Sequence, residues 1–383
     1  MTLKDYDSST LNGDGGGANF RGILVTKVPH GRTHSKVRLF VGAQNPGYTP
    51  DRYRAAVGNA EWSVTPSTWT ETPYPGGLAY YQPPAPSATA KMTGAWLEAP
   101  IANLPYDQPV PWSIEAAGLG RWTACTNATH NAWTAYTMEY DEAMDRLGTL
   151  TGGFTATSNG VAMGLLGWGF DVSGAPIYGI GVLGDSTFSG IRPLDSMNAL
   201  SLEGAFWYAS IAELANGMRW WCSCWGNGTY SMDDYLTRGV SLLPILAGKV
   251  QLLIIQSWTW NQAPDSVESA QAQQIQLLAF KALAETAGYA VVFAIIHPQG
   301  DLRRSAGWDA GWDEQAAWTA AQGGIVAASA VWDPADHRRF LDAYSIRLDT
   351  TTEQIHLSED GCIASGAALS PMISAQLSAL GAF

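Results

Sequence analysis

A chain of 383 residues can bury two separate cores, and a composition 46% apolar and 14% charged is that of a globular protein. A formal net charge of −13 argues against nucleic acid or an anionic membrane as a partner. Four cysteines, Cys125, Cys222, Cys224 and Cys362, are too few for a disulfide framework at this length and read as buried free thiols.

Residues 1–20 are rich in Gly, Asp and Ser and read as a loose lead-in without the apolar core of a signal peptide. Short β-like runs follow at Gly22–Val28, Ser35–Gly42, Glu61–Thr65, Ala90–Trp96, Pro109–Ala116 and Arg121–Thr126, separated by Pro, Gly and Asn. Val37 and Leu39 alternate with Lys36 and Arg38, the period of a half-buried antiparallel strand. Strands at this spacing predict an all-β sandwich or jelly roll as an accessory domain over residues 1–170. Pro73–Pro86 reads as a surface loop whose Tyr74, Tyr80 and Tyr81 are candidates for a ligand edge. Met138–Leu147 reads as a short helix, and Gly152–Gly174 as a glycine-rich crossing into a second domain over residues 171–383.

From Ala175 onward apolar strands alternate with helices. Strands are predicted at Ile177–Leu183, Trp220–Trp225, Val250–Trp258, Tyr289–Ile296 and Ile325–Val331. Helices are predicted at Ser201–Met218, at Met232–Leu246 with breaks at Gly239 and Pro244, at Asp265–Ala287 with an Asp cap, at Glu314–Gln322 and at Ile363–Leu380. This alternation predicts an α/β fold, a flavodoxin-like parallel sheet with helices on both faces. No apolar run reaches the roughly 18 residues of a membrane span. The compartment stays open between cytoplasm, secretion with a leader removed, and a phage particle.

Strand ends of a parallel sheet converge on one edge, so the residues that follow each strand carry the chemistry. After the first comes Gly184-Asp185-Ser186, and after the second Gly226-Asn227-Gly228-Thr229. After the third comes Thr259-Trp260-Asn261, and near the C-terminus Glu353-Gln354-Ile355-His356 precedes a helix. A hydroxyl nucleophile, a permissive glycine, an amide donor and a histidine are the set that acyl transfer requires. Gly179-Ile180-Gly181-Val182-Leu183-Gly184 also fits a dinucleotide fingerprint. Its glycines, however, fall within the strand, and no acidic residue closes a strand about twenty residues later. Gly31 and Pro29 spoil the helix that would align His30 with His34 on a metal, Cys222 and Cys224 lack a second ligand pair, and His297 reads as a core histidine.

Over residues 175–383 these four ordered blocks resemble the SGNH (GDSL) hydrolases, carbohydrate esterases with an N-terminal β domain among them. The resemblance implies Ser186 as nucleophile and His356 as general base. It implies an oxyanion hole from the N–H groups of Ser186 and Gly228 and the Asn261 side chain, with Gly226 the alternative glycine. Two blocks depart from the family pattern. Where the family has Gly-x-Asn-Asp, this chain has Thr259-Trp260-Asn261-Gln262. Where it has Asp three residues before His, Glu353 stands here, with Asp349 or a backbone carbonyl as alternative orienters of His356.

The implied activity is that of a serine esterase needing no cofactor and no metal, acting on a small-molecule or glycan ester. Trp225, Trp258 and Trp260 are candidate sugar-stacking platforms among seventeen tryptophans. Removal of O-acetyl groups from a carbohydrate is the first expectation, and a short-chain carboxylesterase or lipase the second. A carbohydrate-binding or virion structural protein with a degenerate hydrolase domain is the rival from another class. The oligomeric state is not legible.

Overall fold

The period of two around Val37 and the unbroken apolar run Leu252–Ile255 become two kinds of sheet in the computed structural model of the chain. The structure describes residues 2–3, 20–26, 34–43, 52–59, 68–100, 110–117, 133–140, 165–172, 174–189, 204–227, 230–296, 305–326, 332–333, 335–336, 357 and 359–382. It divides into two units, Met1–Pro176 and Ile177–Phe383.

The described strands of the first unit are β1 (Thr2–Leu3), β2 (Phe20–Thr26), β3 (His34–Ala43), β4 (Arg52–Gly58), β5 (Trp69–Glu71), β6 (Thr93–Pro100), β7 (Val110–Ala117), β8 (Trp133–Tyr140) and β9 (Leu165–Val172). They pair antiparallel in two sheets, ordered β1-β9-β3-β6 and β5-β4-β7-β2-β8. Val37, Leu39 and Val41 are fully buried, while Arg38 between them is held by Glu98 and Asp171. Tyr53 of β4, also fully buried, donates to the Gly42 carbonyl at the end of β3 at 3.0 Å and so ties one sheet to the other.

Several elements differ from the sequence expectation. Met138–Tyr140 closes strand β8 where a helix was predicted, because pairing with β2 (Phe20 beside Tyr140, Arg21 beside Glu139) overrides local propensity. Leu165–Val172 is a strand inside the predicted glycine-rich crossing, flanked by β1 and β3. Strand β4 was unread. Tyr74 and Tyr81 are buried, not exposed on a loop. The predicted strands Glu61–Thr65 and Arg121–Thr126 lie outside the described residues.

In the second unit β10 (Tyr178–Asp185), β11 (Trp220–Asn227), β12 (Leu252–Gln256), β13 (Ala290–Ile295) and β14 (Ile325–Val326) form a wholly parallel sheet, ordered β11-β10-β12-β13-β14. The helices are α1 (Ser186–Ser189), α2 (Ala205–Glu213), α3 (Met232–Leu246), α4 (Val267–Thr286), α5 (Ala306–Ala321) and α6 (Glu359–Ala379). On one face Ile180, Val182 and Ile254 pack with Phe206 of α2 and Leu369 and Ile373 of α6. On the other, Phe280 of α4 and Gly239 of α3 meet over Leu183, and Trp318 of α5 lies 4.9 Å from the Phe293 ring. The α/β expectation, with helices on both faces, is met.

Gly239 does not break α3. A Cβ there would lie 2.8 Å from the Phe280 ring, so the missing side chain is what lets α4 pack this closely. Helix α4 is capped by Ser266, whose hydroxyl accepts from Ser269 N at 3.1 Å, not by Asp265. Cys222, Cys224 and Cys362 are free and buried. Burial pushes the Cys222 thiol up to about 12, so it stays protonated and unreactive at neutral pH. No described helix is long and apolar enough to cross a membrane.

Candidate functional site

The chain runs from β10 outward to β11 on one side and then to β12 on the other. The carboxyl ends of β10 and β12 therefore flank the topological switch point, where open α/β sheets bind ligands. Asp185 is the last residue of β10 and Ser186 the first of α1, so Ser186 lies at this crevice. In register, Gly184 lies beside Gly226 and Asp185 beside Asn227. The three glycines of the dinucleotide-like run lie inside β10, as its strand reading required.

The turn that carries Ser186 is held by a buried polar network. The Asp185 carboxylate, 1% exposed, accepts from Thr187 N at 2.8 Å and the Thr187 hydroxyl at 2.6 Å on one oxygen. Its other oxygen accepts from the Thr259 hydroxyl at 2.5 Å. Gln256, at the end of β12, reaches across: its Oε1 accepts from Asp185 N at 2.6 Å and its Nε2 donates to the Thr187 hydroxyl at 3.2 Å. That reach is possible only over a glycine, since a Cβ on Gly184 would stand 2.3 Å from Gln256 Oε1. Tyr235 of α3 donates to the Gln256 carbonyl at 2.6 Å. Burial first, then the nearby Asp185 and Asp233 charges, push the Tyr235 phenol far up, so it remains a donor.

The same network reaches Asn261. Thr259 Oγ1, which donates to Asp185, accepts from Asn261 N at 3.2 Å and starts a 3-10 turn over Trp260–Gln262. Asn261 Nδ2 donates to the Tyr230 carbonyl at 2.9 Å, joining the segment after β12 to the segment after β11. A side-chain amide has two N–H donors, so one remains for another acceptor. Thr259 and Gln262, on either side of Trp260-Asn261, each have a structural role. Thr259 couples the Ser186 turn to the Asn261 turn. Gln262 accepts from Asp233 N at 3.2 Å and donates to the Asp233 carboxylate at 3.3 Å, fastening that turn to the start of α3.

Trp258 and Trp260 are 2% and 6% exposed and pack with Trp312, Trp332 and Leu357 beneath this edge. Neither offers an open ring face, because the cluster that buries them is the support of the Asn261 turn. Trp225 is a residue of β11, placed beside Leu183 in the register. Leu357, the chain neighbour of His356, is 4% exposed within the tryptophan cluster. Gly228, Asp349, Glu353, His356 and His297 lie outside the described residues, as do His30 and Cys125. Sequence reasoning missed Gln256, Thr187 and Tyr235. Nothing local marks Gln256 and Tyr235, because each acts on a residue remote in the chain, whereas Thr187 bonds Asp185 two residues away and takes its remote partner, Gln256, only in the fold.

Replacing Gln256 with leucine keeps the volume but leaves Asp185 N–H buried without an acceptor. A loss of about 1–3 kcal/mol of stability is expected. Urea titration checks it, and an unchanged midpoint would show that the turn does not depend on this amide.

No protein-family model matches the chain, and no curated protein matches it. Among solved structures it is similar to a carbohydrate acetylesterase from Sinorhizobium meliloti, with 15% identity and a TM-score of 0.37 over 52% of this chain and 99% of that one. It is also similar to a family two carbohydrate esterase from Clostridium thermocellum, with 12% identity and a TM-score of 0.37 over 99% of this chain and 98% of that one. A lipase/acylhydrolase from Enterococcus faecalis is a further similar structure, with 16% identity and a TM-score of 0.38 over 52% of this chain and 97% of that one.

Proposed function

We propose that the second unit is a serine ester hydrolase with Ser186 as nucleophile and an O-acetylated carbohydrate as its substrate. One observation carries this reading: the hydrogen-bonded chain Asp185–Thr259–Asn261–Tyr230 joins the segments after three adjacent parallel strands at the switch point. It links the residue before the nucleophile to the proposed oxyanion donor through one threonine.

In the proposed mechanism His356 takes the proton of Ser186 Oγ as that oxygen attacks the ester carbonyl. The tetrahedral oxyanion accepts from the N–H groups of Ser186 and Gly228 and from the free N–H of Asn261. Collapse breaks the bond to the alcohol oxygen, which leaves with the proton from His356. A water molecule deprotonated by His356 then attacks the acyl carbon, and collapse breaks the bond to Ser186 Oγ, which takes the proton back from His356 as the acid leaves.

Acetate release from a panel of acetylated polysaccharides, beside p-nitrophenyl esters of rising chain length, tests the reading. Polysaccharide deacetylation supports it. Hydrolysis of short p-nitrophenyl esters alone supports a short-chain carboxylesterase, a second reading favoured by the burial of Trp258 and Trp260. A folded protein inert on every ester overturns both and leaves a binding or structural role.

The orienting acid is assigned to Glu353. Glu353→Gln is expected to cut kcat severely, Glu353→Asp partly, and Asp349→Asn hardly at all. Damage from Asp349→Asn with a silent Glu353→Gln would reassign the acid to Asp349, and two silent changes would leave a Ser186–His356 dyad.

A further inference from the structure

The first unit holds a cavity of about 620 Å³, within the range of small-ligand sites, whose walls include Arg52, Arg54, Glu71, Tyr74, Leu78 and Tyr80. The wall is a built one. Residues 72–81 are fastened to β4 by Thr72 N to the Ala55 carbonyl at 2.9 Å and by a reciprocal pair between Tyr53 and Tyr81 at 2.7 and 2.9 Å. The Tyr74 hydroxyl accepts from Ala55 N at 3.1 Å and donates to Glu71 at 2.8 Å.

The charges in this wall are unequal in availability. Arg54 is engaged on Glu71 by two bonds of 2.9 and 3.1 Å and stands 3.5 Å from Glu115. Arg52 is exposed, has no carboxylate partner among the described residues, and lies 5.5 Å from the centre of the Tyr80 ring. Leu78 beside it is 59% exposed. The lining carries two arginines and one glutamate, a net charge of +1, so the cavity suits a ligand with one negative charge better than a phosphate dianion. Residues 1–176 hold 11 basic and 14 acidic side chains against 10 and 20 in the rest. Most of the acidic excess therefore belongs to the second unit.

We infer that this cavity binds a uronic acid residue of a glycan, with the carboxylate on the Arg52 guanidinium and the sugar ring against Tyr80 and Leu78. A planar guanidinium takes a carboxylate through two parallel bonds, and aromatic and apolar surface suits the C–H face of a pyranose. The choice of a sugar over an acidic peptide rests on the carbohydrate ester reading above.

Affinity electrophoresis of the full chain tests the inference, with polygalacturonate, its methyl-esterified form and polyglutamate as the added polymers. Retardation by polygalacturonate is expected, falling about tenfold or more in Arg52→Ala and in the methyl ester arm. Tyr80→Ala is expected to weaken it as well, with melting temperatures showing both variants folded. No retardation, equal retardation of Arg52→Ala, or equal binding of the esterified polymer would overturn the inference. Polyglutamate binding as tightly would overturn its sugar part. Hydrolysis of p-nitrophenyl acetate, expected to be unchanged in Arg52→Ala, is read in parallel, so failure of the esterase reading registers separately from failure of this one.

Discussion

Ser186→Ala is expected to lower ester hydrolysis by about four to six orders of magnitude while the protein stays folded. Ser186 opens α1, and the described bonds that hold its turn come from its neighbours: Asp185, Thr187 and Gln256. The fold therefore loses little when the hydroxyl is removed. Steady-state rates on p-nitrophenyl acetate, with far-UV circular dichroism and a melting temperature beside them, measure both halves of the expectation. Activity within about tenfold of the parent would remove Ser186 from the mechanism, and the site of a fluorophosphonate adduct would then identify the nucleophile.

Asn261→Ala is expected to lower kcat by about 10²–10³ with KM little changed, the usual result of losing one oxyanion donor. The same change removes the 2.9 Å bond to the Tyr230 carbonyl, so a modest drop in melting temperature accompanies it. The two effects separate in Thr259→Val. That substitution deletes the hydroxyl joining Asp185 to Asn261 N but keeps the Asn261 amide. If Asn261 donates to the oxyanion, Asn261→Ala is far the more damaging to kcat. If the two variants lose kcat equally, Asn261 acts only by bracing the turn.

These expectations meet at Asp185. Its buried carboxylate is satisfied by three donors from two elements, Thr187 at the start of α1 and Thr259 past the end of β12. A buried charge left short of donors costs several kcal/mol, so each donor is constrained to its place. The Ser186 turn and the Asn261 turn are thereby coupled through one side chain.

The second unit's sheet was legible in the chain because its information is local. A fully buried parallel strand must be apolar along its length, as Leu252–Ile255 is, and a long run free of Gly and Pro, as in α4, reads as a helix between strands. Gly184-Asp185-Ser186 and Asn261 were legible for a related reason, since they sit where strands end. What the sequence could not determine is pairing and burial. The strands Arg52–Gly58 and Leu165–Val172 exist through partners remote in the chain, and pairing with Phe20–Thr26 makes Met138–Tyr140 extended. Trp258 and Trp260 read as open platforms, yet the packing of Trp312, Trp332 and Leu357 closes over them. Gln256 is a plain polar residue at a strand end until the sheet sets it beside Gly184, where the absent Cβ lets its amide reach the backbone of Asp185. Side-chain chemistry and local period are written residue by residue, whereas the contacts that give Gln256 and Thr259 their roles form only when distant segments are brought together by the fold.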